Sequence, residues 1–326
     1  MGLAVHYLHP PLSEDVRDYL QARLHPGVQL TVGVEPPEPA TYRILIAGRP
    51  SREHLSASPE LQAVVVPWAG IPESTRQLMA EFPRLALHNL HHNAGPVAEH
   101  TVALLLAAAK FIVPMDRSMR AGDWTPRYRS SPSVMLEGKT ALVLGYGAIG
   151  QKVASLCQGL GMDVIAVRRA AEADSPASVC CAPIESLPQL LPQAAALLVC
   201  LPQTSETTGL IGQEELSRLP PDAILVNIGR GPVVDEAALY NALRDGTLYA
   251  AGVDVWYNYP TDESERSNTP PSVYPFHELP NVVLSPHRAG SSRDTETLRM
   301  AHLAELLNAA ARGEPMPNRV DLEQGY

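Results

Sequence analysis

Leu142-Val143-Leu144-Gly145-Tyr146-Gly147-Ala148-Ile149-Gly150 is an apolar run that turns through three glycines into a stretch with helical spacing. Glycines recur by chance, so this pattern means little without its setting. Here Ala141–Leu144 reads as a strand and Lys152–Leu160 as a helix, the context that a dinucleotide-binding turn requires. Gly145 permits the tight turn, Gly147 lets the backbone approach a pyrophosphate, and Gly150 lets helix and strand pack closely. The free N–H groups and dipole of the helix start, at Ala148 and Ile149, favour phosphate oxygens.

The next strand ends Val164-Ile165-Ala166-Val167-Arg168-Arg169. An acid at this distance would bind the ribose 2′-hydroxyl of NAD. Arg168 stands there instead, and a guanidinium suits a 2′-phosphate. With Arg169 beside it, the reading favours NADP over NAD.

Working outward, strand-like and helix-like stretches alternate throughout. Ala4–Leu8, Val28–Val32, Arg43–Ala47, Ala63–Val66 and Leu85–Asn89 read as strands of a first series, with a helix at Ser13–Leu24. A second series runs through Thr140–Leu144, Asp163–Val167, Ala195–Leu201, Ala223–Asn227, Gly252–Val255 and Val282–Ser285. Gln151–Gly159, Glu185–Leu190, Gly212–Arg218, Glu236–Asp245 and Asp294–Ala311 supply its helices. The fold class is α/β with parallel sheets. Between the two series lies Val97–Lys110, a helix apolar nearly all round and therefore predicted to be buried, ending near Pro114.

Composition excludes several classes. The 326 residues are 45% hydrophobic, enough for about two domains. A net charge of −10 disfavours nucleic acid and anionic membranes as general partners. No apolar run approaches the roughly 18 residues of a spanning helix. Met1–His6 shows no secretory pattern, so a cytoplasmic protein is expected. Cys157, Cys180, Cys181 and Cys200 have no metal-ligand spacing and read as free thiols. His88, His91, His92 and His100 cluster in sequence, but no acidic or Cys partner completes a metal site.

Four further segments identify the reaction class. They are Leu201–Ile211 (LPQTSETTGLI), Val226–Asp235 (VNIGRGPVVD), Gly252–Val255 (GVDV) and Pro280–Gly290 (PNVVLSPHRAG). In this order, after the glycine turn, they closely resemble the D-isomer-specific 2-hydroxyacid dehydrogenase family, over roughly residues 60–300. The resemblance implies two Rossmann-like parallel-sheet domains with a cleft between them. The cofactor domain, 98–290, would be inserted into a flavodoxin-like substrate domain, 1–97 plus 291–326. It also implies a homodimer built on the long helix and the loop after it.

The resemblance assigns roles as well. Arg230 resembles the arginine that clamps the substrate carboxylate and polarises the carbonyl, and His287 resembles the acid/base. Trp68, Ala69 and Gly70 match the substrate loop, whose backbone N–H groups bind the carboxylate. Leu201, Pro202, Thr207, Ile228, Gly229 and Asp254 would line the cofactor site together with Arg230 and His287. The expected reaction is reduction of a small 2-keto acid to the D-2-hydroxy acid, or its reverse, by hydride transfer with NADP(H) or NAD(H). Two alternatives stand beside it: oxidation of a small anion such as formate or phosphite, and a dinucleotide-sensing regulator with little turnover. Substrate choice would depend on side chains near Trp68, Trp256, Tyr257 and Arg288.

One position departs from the family. Its glutamate, five residues after the Asp of Gly-x-Asp-Val, hydrogen-bonds the catalytic His and raises its pKa. Tyr259 occupies that place. A neutral tyrosine can orient an imidazole but cannot favour imidazolium by charge. Asp262, Glu263 and Glu265 are the candidates to substitute for the missing carboxylate.

Overall fold

The computed structural model of the chain describes residues 2–169 and 179–322. Two compact units form, Met1–Asn93 with Ser291–Tyr326, and Ala94–Gly290.

In the first unit β1 (Leu3–Leu8), α1 (Glu14–Gln21), β2 (Val28–Gly33), β3 (Ile44–Ile46), α2 (Arg52–Ser56), β4 (Ala63–Val65), α3 (Glu73–Ala80) and β5 (Ala86–His88) follow in turn. The sheet order is β2-β1-β3-β4-β5 with every pairing parallel. That is the flavodoxin-like doubly wound order. Val5, Tyr7, Ile44 and Ile46 face one core, into which Met300, Leu303 and Leu307 pack from the far end of the chain. Leu45, Val64, Met79 and Leu87 face the other.

The second unit opens with α4 (Ala94–Ala109) and α5 (Ile112–Arg120). Then come β6 (Thr140–Leu144), α6 (Ala148–Gly159), β7 (Asp163–Arg168), β8 (Cys180–Pro183), α7 (Leu187–Leu190) and β9 (Ala194–Val199). It continues through α8 (Gln213–Ser217), β10 (Ile224–Asn227), α9 (Glu236–Arg244), β11 (Ala250–Val253) and β12 (Val282–Leu284). Its parallel sheet runs β12-β11-β10-β9-β6-β7-β8, so the strand order reverses between β6 and β9. All six residues of β9, Ala-Ala-Ala-Leu-Leu-Val, are buried, as a strand covered on both faces requires. Helix α4 packs on β10, β11 and α6. A Cβ at Gly252 would come within 2.7 Å of Leu104 Cβ, so the glycine sets how closely helix meets sheet. The last helix, α10 (Thr295–Ala311), returns to the first unit.

Four expectations need correction. The first crossing falls between Asn93 and Ala94 rather than at 97, because α4 begins at Ala94 and packs wholly within the second unit. The long helix ends at Ala109, and the chain bends by 67° before α5. Phe111, at φ 53°, makes the break. Pro114 sits instead in the first turn of α5, where no N–H is needed. Hydrophobic spacing did not mark α2, α3 or the edge strand β8. Among the described residues, no single helix is long and apolar enough to cross a membrane.

His92 follows β5 at 4% exposure, and its Nδ1 has no partner. Burial, then Arg299, His302 and His91, push its pKa down from 6.5 to about 4. The fold therefore holds this ring neutral. Its contribution is complete above pH 6.5 and is lost as the pH falls towards 4, by about 3 kcal/mol at most. Denaturant unfolding across that range should show wild-type stability falling with acidification, and a shallower fall for His92→Gln.

Candidate active site

Three loops meet where the strand order of the second unit reverses. Gly145 leaves β6 at φ +94°, and a Cβ there would lie 3.1 Å from the Cys200 carbonyl oxygen after β9. A Cβ on Gly150 would stand 1.9 Å from the Gly145 carbonyl oxygen, and one on Gly229 2.3 Å from that of Leu201. These contacts demand glycine. A Cβ on Gly147 meets nothing within 4 Å, so that residue faces open space. No side chain caps α6, which leaves the N–H groups of Ala148, Ile149 and Gly150 to an outside acceptor. The residues present thus fit a pyrophosphate. Arg168, the last residue of β7, acts electrostatically on Tyr146 within the turn, opposing the rise that burial causes in its pKa. Thr207 Oγ1 donates to the Pro202 carbonyl (2.6 Å) and accepts from Thr204 N–H (2.8 Å), closing the loop after β9.

Arg230 follows β10 by way of a turn that Asn227 folds. The buried Asn227 side chain accepts from Gly229 N–H (3.1 Å) and donates to the Arg230 carbonyl (3.1 Å). A Cβ on Gly231 would lie 2.3 Å from the Trp256 carbonyl oxygen, so the turn seats directly on the backbone after β11. The Arg230 guanidinium donates to the Gly229 carbonyl at 2.7 Å. Burial pulls its pKa down, with Tyr259 opposing.

His287 stands at φ +55°, in the left-handed region that costs a non-glycine residue about 1 kcal/mol or more. Asp254, fully buried, holds it there. Its carboxylate accepts from Arg288 N–H (2.8 Å), Ala289 N–H (3.0 Å) and the Ser285 hydroxyl. His100 Nε2 backs Ser285 Oγ at 2.9 Å. Trp256 Nε1 donates to the Ser285 carbonyl at 2.8 Å. On the other side of the ring, Tyr259 Oη lies 3.0 Å from His287 Nδ1 and accepts from Trp256 N–H at 3.0 Å. Burial, then the Arg230 charge, hold the His287 pKa below 6.5, while Asp254 opposes. Burial raises the Tyr259 pKa, so its hydroxyl keeps its proton.

In the first unit the Trp68–Gly70 loop follows β4. Asn89 Nδ2 donates to the Ala69 carbonyl (2.7 Å) and Leu90 N–H to that of Trp68 (3.3 Å). Trp68 packs so closely on Gly48 that a Cβ there would meet its ring at 1.9 Å. Among the described residues nothing accepts from the N–H groups of Ala69 and Gly70.

Residues 102–289 match the NAD-binding domain of the D-isomer specific 2-hydroxyacid dehydrogenases. The chain belongs to this family. It is 40% identical over 233 residues to the glyoxylate reductase of Aeropyrum pernix, covering 69% of this chain and 66% of that protein. It is 34% identical over 291 residues to the D-3-phosphoglycerate dehydrogenase of Mycobacterium leprae, covering 89% of this chain but only 52% of the relative. The chain thus spans between about half and two thirds of the length of these relatives. A solved D-isomer specific 2-hydroxyacid dehydrogenase from Xanthobacter autotrophicus Py2, in complex with NADPH and MES, superposes with a TM-score of 0.80 at 28% identity. That match covers 100% of this chain and 99% of the other. Dinucleotide binding of the NAD(P) type is a property of the family domain.

Within this family frame, several sequence expectations move. No acid replaces the missing glutamate among the described residues. Asp262 caps Ser264, Glu265 holds Thr261, and Glu263 pairs with Arg266. Trp256 and Tyr257 themselves are engaged within the second unit. Trp256 is buried against Phe276, and the Tyr257 hydroxyl donates to the Val234 carbonyl (2.9 Å). Asp254 supports the His287 turn, a function its proximity in sequence to β11 did not announce. Asn227, Ser285, His100 and Asn89 were not singled out for these contacts. Only the Asn-x-x-Arg-Gly and Ser-Pro-His spacings hinted at the first two.

Asp254→Asn turns one acceptor into a donor facing another donor, which costs about 1–3 kcal/mol. Urea unfolding should register that loss. The catalytic rate should fall with it, because His287 leaves its fixed orientation.

Proposed function

We propose that this protein reduces small 2-keto acids to D-2-hydroxy acids, or runs the reverse, with NADP(H) preferred over NAD(H). The observation that carries the reading is the convergence of Arg230, Tyr259 and His287 in the unit that holds the glycine turn. The names of the relatives, among them a glyoxylate reductase, support a substrate of the size of glyoxylate or hydroxypyruvate.

When bound, the dinucleotide supplies the hydride or takes it up. Arg230 holds the carboxylate and polarises the keto oxygen. Within the first unit, the N–H groups of Ala69 and Gly70 are free to bind a carboxylate. His287 gives the proton to the oxygen from Nε2 during reduction and recovers it during oxidation. Tyr259 Oη accepts from Trp256 N–H and lies 3.0 Å from His287 Nδ1, so it can donate to Nδ1 when the neutral ring carries its proton on Nε2. When the ring is protonated, the Tyr259 hydroxyl turns and accepts from Nδ1–H as well.

Arg168 and Arg169 support the NADP preference, and the solved relative holds NADPH. Ile112, Met119, Trp124, Tyr128 and Met135 are exposed around α5 and the loop after it, which supports a homodimer built there. The four free cysteines support a reducing cytoplasm.

Reduction requires protonated His287, so kcat/KM should fall as the pH rises through a pKa below 6.5. Tyr259→Glu restores a carboxylate and should move that limb upward, in the manner of the family's His–Glu pair. Steady-state pH profiles of both proteins with glyoxylate check this. A wild-type limb above 7 ends the assignment. Arg168→Asp should change the NADPH-to-NADH ratio of kcat/KM by about tenfold or more towards NADH. An unchanged ratio would remove Arg168 from the cofactor account.

A further inference from the structure

We propose that the cavity between the first unit's sheet and its C-terminal tail binds a small carboxylate that also bears a hydrogen-bond donor, either a hydroxyl or an ammonium group. The cavity, open to solvent on one side, has a volume of about 550 Å³. Leu3, Ile44, Ala63 and Ala86, the first residues of β1, β3, β4 and β5, line it, so it sits at the N-terminal edge of the sheet. The Trp68–Gly70 loop follows the C-terminal end of β4, at the opposite edge. The cavity is therefore separate from the substrate loop.

Its polar groups are arranged for such a ligand. Arg43 and Arg319 both line the cavity. Arg43 donates to the neutral Gln62 amide (3.0 Å), and among the described residues no carboxylate pairs with either guanidinium. The lining acid, Glu314, already accepts from Arg312 Nε and Nη2 at 2.8 and 2.7 Å. Two cations thus await an anion. A guanidinium fork matches a carboxylate in geometry as well as charge.

Two lining histidines divide the remaining roles. Gly27 N–H donates to His25 Nδ1 (3.0 Å), so a neutral His25 presents Nε2–H as a donor. His88 is the reverse. The Pro317 carbonyl, which can only accept, lies 2.8 Å from its Nδ1, so that nitrogen keeps the proton. Burial, and then Arg319, hold the ring neutral, which leaves Nε2 as a bare acceptor at the wall. An acceptor of this kind in a cavity with two guanidinium groups that no carboxylate pairs with selects a ligand with a carboxylate and a donor. The alanines, Leu3, Ile44 and Met316 accommodate its carbon chain.

Isothermal titration with D-lactate, L-alanine and propionate tests the site on the Arg230→Gln protein, in which the substrate clamp is disabled. D-lactate or L-alanine should bind at one per chain, and whichever binds names the donor. Propionate, which lacks a donor, should bind at least about tenfold more weakly. Adding Arg43→Gln and Arg319→Gln should weaken binding by about tenfold or more. Soaking crystals of the unsubstituted protein in the bound acid should place its carboxylate on the two arginines. Absence of binding at millimolar ligand, indifference to the two arginine substitutions, or equal affinity for propionate would overturn the proposal.

Discussion

The carboxylate of Asp254 has no solvent exposure, and a buried charge of this kind is costly unless donors surround it. Here Ser285, Arg288 and Ala289 all donate to it. The same three bonds oblige the backbone to pass through a left-handed conformation at His287. Satisfying the charge and aiming the imidazole are thus a single arrangement. The Asn227 turn serves Arg230 in a parallel way, with a buried amide in place of a charge. Both candidate site residues, Arg230 and His287, stand on turns that end parallel strands, and each turn is fixed from beneath by a polar group with its partners satisfied.

Much of the fold was legible because parallel strands announce themselves. Runs such as Ala194–Val199 are apolar on both faces, and the glycine turn fixed where one sheet reverses. Short elements were not legible. Helix α2 has five residues, too few to show a period, and begins with a capping box in which His54 stands in for the usual Glu or Gln. Strand β8 is an edge strand with an exposed first residue. Pro114 misled because proline marks a helix boundary without saying which side of it lies within.

At the site, motif spacing named the candidate reactive groups but not what holds them. Arg230, His287 and Tyr259 could be named from their contexts. Several of the contacts that hold the site join residues distant in sequence, such as Asp254 with Arg288 and Ala289 or His100 with Ser285, and only the tertiary fold brings these together. Tyr259 illustrates a further limit. The sequence shows that a carboxylate is missing, whereas the fold shows that the Tyr259 hydroxyl is held by Trp256 N–H within hydrogen-bond distance of His287 Nδ1.

Helix α10 contributes Met300, Leu303, Leu306 and Leu307 to a core it shares with β1, β3 and β4, and the tail beyond it pairs with His88 at the edge of β5. The first unit is therefore discontinuous in the gene. During synthesis on the ribosome its sheet must wait, with one apolar face uncovered, while the whole second unit is made. The inserted unit carries a complete core of its own and can close first. Chains truncated within α10 would leave the earlier sheet without its cover, so a late break in translation would yield an aggregation-prone fragment rather than a smaller working enzyme.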